Sequence, residues 1–327
     1  MIPKNRLLLH SKFQELINGE RINIVDVGAR EDLFEPYGQL PKNLFKVYGF
    51  EPDREEAERL SNRFDSKERE YFPYGLWDTS TEIELSYAKV PGNSSIHPPN
   101  LEELKSIFPP LNWETRIPKE KLTLPVKALD DVHNESPFDC DLLKVDTQGS
   151  ELEILHGAQA LLKSSVSFVL LETWTYEVHK GQALSGKIME WMHSQGFTLI
   201  RLNKGAEWER KIDKPTNVKG LQTLVGLDLL FVRNECSFSD KAKVESKIIK
   251  AAAIAELYGF PDLAIQIIEK WSHDKGTSSK TGKAKSILHS NWSRNTDPIV
   301  FRFVRKIAWF LGYSMKKRNS DPYAPLH

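Results

Sequence analysis

Between about residue 22 and residue 233, short β-branched or aromatic runs alternate with stretches of helical apolar spacing. That rhythm admits few folds. Ile22–Val27 (INIVDV) ends at a glycine, Phe45–Phe50 (FKVYGF) follows, and residues 54–64 read as a helix. Further runs lie at 71–76, 82–88, Leu142–Val145, 166–171, 197–202 and 227–232, with helical spacing at 151–162 and 186–194. Strands separated by helices of this length argue for an α/β fold with a doubly wound, mostly parallel sheet covered on both faces. In such a sheet a ligand sits beyond the carboxyl ends of the strands, where strand order reverses. The residues at strand tips therefore matter first: Asp26, Glu51, Gly75, Asp146 and Glu172.

Several stretches break the alternation. Residues from about 90 to 125 are rich in Pro, Asn and Ser and read as an insertion bearing one short helix at 101–108, either a substrate cover or a solvated loop. A second polar insertion spans 205–220. Past Asn234 the character changes to a helical hairpin at 243–258 and 261–271, a linker-like run at 274–285 (DKGTSSKTGKAK) and a basic, aromatic helix at 298–317. The expected organisation is thus a domain over 1–236 and a helical appendage over 237–327. Basic and acidic side chains number 45 each, but 16 basic and 8 acidic ones fall in 239–327, so an acidic body carries a basic tail.

Composition removes several classes. Two cysteines, Cys140 and Cys236, make neither a disulfide scaffold nor a zinc pattern, so no metal site is expected. No run of 18 apolar residues and no signal-like N-terminus is present, which points to the cytoplasm. The helix at 298–317 places Arg302, Arg305 and Lys306 on one face. It can lie against the inner face of a membrane as a peripheral contact, dock on the acidic body or associate with a second copy; docking is the favoured reading. It lacks the interleaved aromatics of a nucleic-acid surface, and no nucleic-acid partner is expected.

Two constellations carry chemistry. The first is Val25-Asp26-Val27-Gly28-Ala29-Arg30, a strand end with a glycine turn, followed 25 residues after Asp26 by Glu51 at the next strand tip. A carboxylate at that second tip can accept both hydroxyls of a ribose, which points to a nucleoside cofactor. The turn has one glycine and continues into Glu31 and Asp32, acids that would repel a pyrophosphate. Such acids favour a positively charged sulfonium, so the electrostatics prefer S-adenosylmethionine over NAD. The second constellation is DLLKVDTQGSELEILHGA at 141–158: Asp146 ends a strand, Gly149 permits a sharp turn, and Ser150 can cap the helix that Glu151 begins. Acids at Glu151 and Glu153 suit a helix N-terminus on dipole grounds alone. Lys144, inside the strand, needs an acidic partner such as Asp146 or else partial exposure.

The segments DVGAR, GFEPD, GLWD, ALDDV, LLKVDTQGSELEILHGA and LLETWTYEVHKG follow one another as in the FkbM family of S-adenosylmethionine-dependent methyltransferases, which the chain resembles over about residues 20–235. The resemblance implies a Rossmann-like class I methyltransferase sheet ending in an antiparallel hairpin, and methyl transfer to oxygen, commonly on a saccharide or glycoconjugate. It also implies that Asp26, Gly28, Ala29 and Arg30 border the methionine end of the cofactor. Glu51, Pro52 and Asp53 would then hold the ribose, and Gly75, Leu76, Trp77 and Asp78 border the adenine. Ser94 and Ser95 match serines of the family, and Asp146, Gln148, Gly149 and Glu151 match its signature block. The chain departs from many relatives after Ala29, where it reads Arg30-Glu31-Asp32.

An alcohol acceptor must lose its proton, and a carboxylate or histidine within reach is the usual device. Asp146, Glu172 and His179 are the candidates, with His97 a weaker one and His156 expected to be packed or solvated. Trp174, Tyr176, Trp191 and Trp208 could offer a sugar a stacking face or simply pack a core. The expected activity is S-adenosylmethionine-dependent O-methylation. Against it stand a catalytically silent scaffold of the same fold and an NAD-dependent oxidoreductase.

Overall fold

The computed structural model describes residues 8–10, 13–30, 37, 40–212, 221–235, 243–273 and 279–292. In chain order it begins with helix α1 (Phe13–Leu16), strands β1 (Ile22–Val27) and β2 (Phe45–Phe50), helix α2 (Arg54–Arg63), and strands β3 (Arg69–Phe72), β4 (Gly75–Trp77) and β5 (Thr81–Ala88). Next come helices α3 (Leu101–Ile107) and α4 (Pro110–Trp113), strand β6 (Pro118–Ala128), helix α5 (Leu129–Glu135), strand β7 (Leu142–Val145), and helices α6 (Glu151–His156) and α7 (Gln159–Ser164). Strand β8 (Phe168–Trp174), helix α8 (Ser185–Ser194) and strands β9 (Phe197–Trp208) and β10 (Thr223–Arg233) follow, then helices α9 (Val244–Leu257), α10 (Pro261–His273) and α11 (Ser279–Trp292).

The main sheet has the order β3-β2-β1-β7-β8-β10-β9. Strands β3, β2, β1, β7 and β8 run parallel, while β10 is antiparallel to both β8 and β9. This is the expected class I methyltransferase arrangement. Its physical cause is legible in the strands: Val25, Val27, Leu143, Val145, Val169 and Leu171 are fully enclosed, as parallel strands covered on both faces require. Each such side chain contributes about 1.5–3 kcal/mol when buried. The order reverses between β1 and β7, so the switch point lies at the tips of those two strands.

A second sheet, β4-β6-β5, stands apart from the first. It corrects two expectations. The run at 71–76 is two strands, because β3 ends at Phe72 in the main sheet and β4 starts at Gly75 in the smaller one. The insertion expected to reach residue 125 stops near 117, since β6 pairs along β5 and buries Leu124 and Val126. Between them the chain forms α3, α4 and a turn of 3-10 helix at Glu114–Arg116, more helix than the single element expected.

Two compact units divide the chain, Arg21–Val244 and a helical unit that joins residues up to Glu20 with those from Glu245. Residues up to Glu20, grouped above with the domain over 1–236, therefore cluster with the C-terminal helices. In that unit the run Ala251-Ala252-Ala253 on α9 is fully enclosed, and small side chains there let neighbouring backbone approach. Lys250, almost wholly buried, holds Glu20 at 2.7 Å, and Glu256 accepts hydrogen bonds from the Leu8 N–H (2.5 Å) and the Trp292 indole (2.7 Å). The linker expected at 274–285 is helical from Ser279 onward: Thr281 and Ala284 turn inward, while Ser279 and Lys283 are exposed and Lys280 and Lys285 half-buried. The basic helix expected at 298–317, with Glu31 and Asp32, lies outside the described residues. Among the described residues no helix is long and apolar enough to cross a membrane.

Gly157, between α6 and α7, tests how tightly the helices press on β4. A Cβ there would stand 2.1 Å from the Trp77 carbonyl oxygen. Gly157→Ala is expected to cost about 1–3 kcal/mol in urea denaturation. Gly186→Ala, on α8 with nothing within 4 Å of an added Cβ, is expected to be neutral or stabilising by up to about 1 kcal/mol.

Candidate active site

The chain leaves β1 at Gly28, which adopts φ +78° and lies so close to β7 that a Cβ would stand 2.0 Å from the Asp146 carbonyl oxygen. Glycine is required there on both counts. The N–H groups of Gly28 and Ala29 donate to the Phe50 carbonyl (3.0 and 3.1 Å), and that of Asp146 donates to the Val27 carbonyl (3.0 Å). The tips of β1, β2 and β7 are thereby joined, and a cavity of about 300 Å³ opens above them. Its lining includes Glu51, Leu76, Tyr87, Leu124, Asp146 and Gln148. The cavity thus occupies the switch point, with the smaller sheet as its outer wall.

At one end Glu51 is almost wholly buried. One of its oxygens accepts the Asp53 N–H at 2.8 Å. Burial pushes the Glu51 carboxyl up to about 7, opposed by that hydrogen bond and by the nearby Arg30 charge. Arg30 bonds Asp53 Oδ2 at 3.2 and 3.3 Å and stands 3.9 Å from Glu51. The Tyr87 hydroxyl donates to the same Asp53 oxygen at 3.2 Å, tying β5 to this corner. Pro52, Asp53 and Gly75 also line the cavity.

At the other end Lys144 Nζ stands 3.0 Å from Asp26 and 3.6 Å from Asp146. Burial opposes its charge, but Asp26 and then Asp146 raise its pKa overall. Glu172 projects into the same end, hydrogen-bonded to Asp146 and accepting the Gln148 amide at 2.6 Å. Burial, and then the Asp146 charge beside it, push the Glu172 carboxyl far up, so it keeps its proton at neutral pH. Asp228 of β10 is paired in register with Glu172 and rises to about 6, chiefly by burial and then by Asp146. Asp146, at 37% side-chain exposure, is the open member of this group.

The loop between β7 and α6 is shaped by Glu151. Its Oε1 accepts the N–H groups of Thr147 (3.1 Å) and Gly149 (3.0 Å) and the Thr147 hydroxyl (3.2 Å). Glu151 therefore organises the loop from below, beyond the helix-start preference expected of it. Gln148 is held at φ +58°, uncommon for a residue with a side chain, and Ser95 Oγ donates to its carbonyl at 2.7 Å.

Other expected residues fall elsewhere. Asp26 and Ala29 are buried beneath the turn, Asp26 on Lys144, and neither lines the cavity. Trp77 and His97 pack together with ring centres 5.8 Å apart, and His97 pairs with Glu153 at 3.6 Å. His179 is enclosed off the cavity, where burial and then the Arg116 charge lower it to about 3. His156 packs on Trp191, which leaves Trp191 out of the aromatic group formed by Trp174, Tyr176 and Trp208 around Phe108. Trp174 and Trp208 are themselves buried and offer no open stacking face. Asp228, Tyr87 and Leu124 were not anticipated. A lone acid inside the apolar run at 227–232 was the available signal for the first; the other two depend on the smaller sheet. Among the described residues no group of three His, Cys, Asp or Glu is placed to hold a metal ion.

The model of the methyltransferase FkbM domain family matches residues 26–199, more than half of the chain. Methyltransferase sdnD of Sordaria araneosa is 28% identical over 212 residues, 57% of this chain and 76% of its own length. Among solved structures, methyltransferase FkbM from Methylobacillus flagellatus shares 14% identity at a TM-score of 0.33, over 69% of this chain and 48%, about half, of its own. Magnesium protoporphyrin IX methyltransferase from Synechocystis, solved with bound S-adenosylmethionine, shares 10% identity at a TM-score of 0.33, over 69% of this chain and 77% of its own. The family match replaces the NAD-dependent alternative.

Removing the buried cation leaves two acids facing each other. Lys144→Met is expected to destabilise the protein by about 3–5 kcal/mol in urea denaturation. Adding Asp26→Asn is expected to restore part of that loss.

Proposed function

The chain belongs to the FkbM family of S-adenosylmethionine-dependent methyltransferases, and from that premise we propose that it methylates a hydroxyl group of a saccharide or glycoconjugate. The donor set fits the cofactor. Glu51, with one oxygen unoccupied by any hydrogen bond among the described residues, would hold the ribose hydroxyls, and Leu76 and Leu124 would flank the adenine. The turn at Gly28 and the acids at Asp146 and Glu172 would face the methionine end. When bound, the cofactor supplies an electrophilic methyl group on a positively charged sulfur, a charge that acids at this end favour.

The observation that carries the reading is the pairing of Asp146 with Glu172. Oxygen acceptors, unlike neutral amines, need a base to take their proton. Glu172, its carboxyl pushed up by burial, and Asp146, the more open of the two, both line the cavity, with Lys144 3.6 Å from Asp146. Gln148, fixed by Glu172 on one side and Ser95 on the other, is placed to orient the hydroxyl. Positioning supplies much of the acceleration of an in-line displacement, and general-base help adds about 10²–10⁴-fold.

Transfer of labelled methyl groups to a panel of saccharides tests the proposal; labelling of amines with no labelling of hydroxyls would overturn it. Asp146→Asn is expected to lower kcat by about 10²–10⁴-fold while S-adenosylhomocysteine still binds. The Glu51 carboxyl binds a proton as pH falls through about 7, and the ionised form is the better acceptor for ribose hydroxyls. Affinity for S-adenosylhomocysteine should therefore tighten about tenfold from pH 6 to pH 8. Calorimetry of Glu51→Gln should show a flat profile and binding weaker by at least about tenfold, roughly 1.4 kcal/mol.

A further inference from the structure

Beyond Glu172 along β8 lies a buried cation with no acid paired to it. Arg116, on the turn after α4, extends into the aromatic cluster, its guanidinium 5.5 Å from the Trp174 ring centre and 5.1 Å from that of Trp208. It retains 8% exposure and makes one hydrogen bond among the described residues, from Nη1 to the Asn112 carbonyl at 3.1 Å. Its Nε is enclosed without a partner. The acid that acts on it is Glu172, which keeps its own proton. Lys144 and Lys250, by contrast, are each met by a carboxylate, Asp26 and Glu20.

The surroundings share this shortage of acceptors. The indole N–H of Trp174, whose ring lies under the Arg116 guanidinium, is buried without a partner. The turn after α4 and the end of β8 thus bring unused polar groups to one place, two residues along β8 from Glu172. An enclosed guanidinium is costly unless an anion meets it, and its planar fork matches a carboxylate, phosphate or sulfate. The Trp174 indole can donate one hydrogen bond to the same group.

We propose that Arg116 and the Trp174 indole form an oxyanion-binding subsite for the acceptor, so that the molecule methylated here carries a carboxylate, phosphate or sulfate group near its reacting hydroxyl. This rests on the acceptor reading given above. The insertion bearing α3 and α4 then serves recognition, since it delivers the cation that reads the substrate's charge.

The test uses the full chain saturated with S-adenosylhomocysteine. Its Arg Nε–H and Trp indole ¹H–¹⁵N signals are followed as inorganic sulfate, glucuronate, glucose 6-phosphate and glucose are added. The anions are expected to shift the Arg116 and Trp174 signals saturably, glucose to leave them in place, and the preference between carboxylate and phosphate to separate the two sources of charge. Arg116→Met is expected to abolish anion binding while S-adenosylhomocysteine affinity stays unchanged and the thermal midpoint holds or rises, because the variant removes an unmatched buried charge. Should that variant not fold, Arg116→Lys, which keeps the charge but loses the fork, is expected to bind the anions at least about tenfold more weakly. Absence of saturable shifts, an equal response to glucose, or anion binding undiminished in these variants would overturn the subsite. Methylation of neutral glucosides as fast as acidic ones would also overturn it while leaving hydroxyl methylation intact. Anion binding without methyl transfer to any hydroxyl would do the reverse.

Discussion

Between β1 and β7 an ammonium group, Lys144 Nζ, stands 3.0 Å from Asp26 and 3.6 Å from Asp146. An unpaired lysine could not stay charged in that position, and unpaired acids could not crowd it. Together the three groups fix the two strand tips at which the sheet reverses direction. Gly28 can press its backbone against the Asp146 carbonyl because that register is held. The same cation sits behind Asp146 at the cavity, so one enclosed charge serves both the sheet and the chemistry at its edge.

Much of this was legible in the sequence, and the reasons are local. A β-branched run ending in glycine, as at Ile22–Val27, reports a strand and its turn together, and an acid at the tip of the next strand reports where a ribose would go. The tips of β1, β2 and β7 accordingly fell where the residues placed them, whereas β8 runs past Glu172 to Trp174. Long-range pairing was not legible in the same way. Nothing in the run at 71–76 says that Phe72 and Gly75 join different sheets, because that depends on β6, more than forty residues later. The candidate site shows the same limit. Glu51 and Asp146 could be named from position, whereas Tyr87, Leu124 and Asp228 reach it through pairings that cross the sequence. His179 had the right residue type beside a strand end, yet Gln182 and the insertion enclose it away from the cavity.

The smaller sheet and the insertion take the place of a cover. Tyr87 on β5 ties to Asp53, Ser95 ties to the Gln148 carbonyl, and the N–H of Lys180 donates to the Pro98 carbonyl. Each anchor joins a segment of 81–117 to a loop at a main-sheet tip. The polar, proline-rich composition of 90–117 reflects this work: outside its short helices its backbone bonds largely to other loops, so it gives little periodic signal.

The helical unit draws on both sides of the catalytic one, with Leu8 and Glu20 meeting Glu256 and Lys250. This order has a consequence for synthesis. A ribosome delivers residues 21–244 in full before α9 exists, so the methyltransferase sheet can close while residues up to Glu20 still wait for their partners. These residues are thus among the last to find their place. Until α9 emerges, Phe13, Leu16 and Ile17, all enclosed in the finished protein, wait for the helices of their own unit.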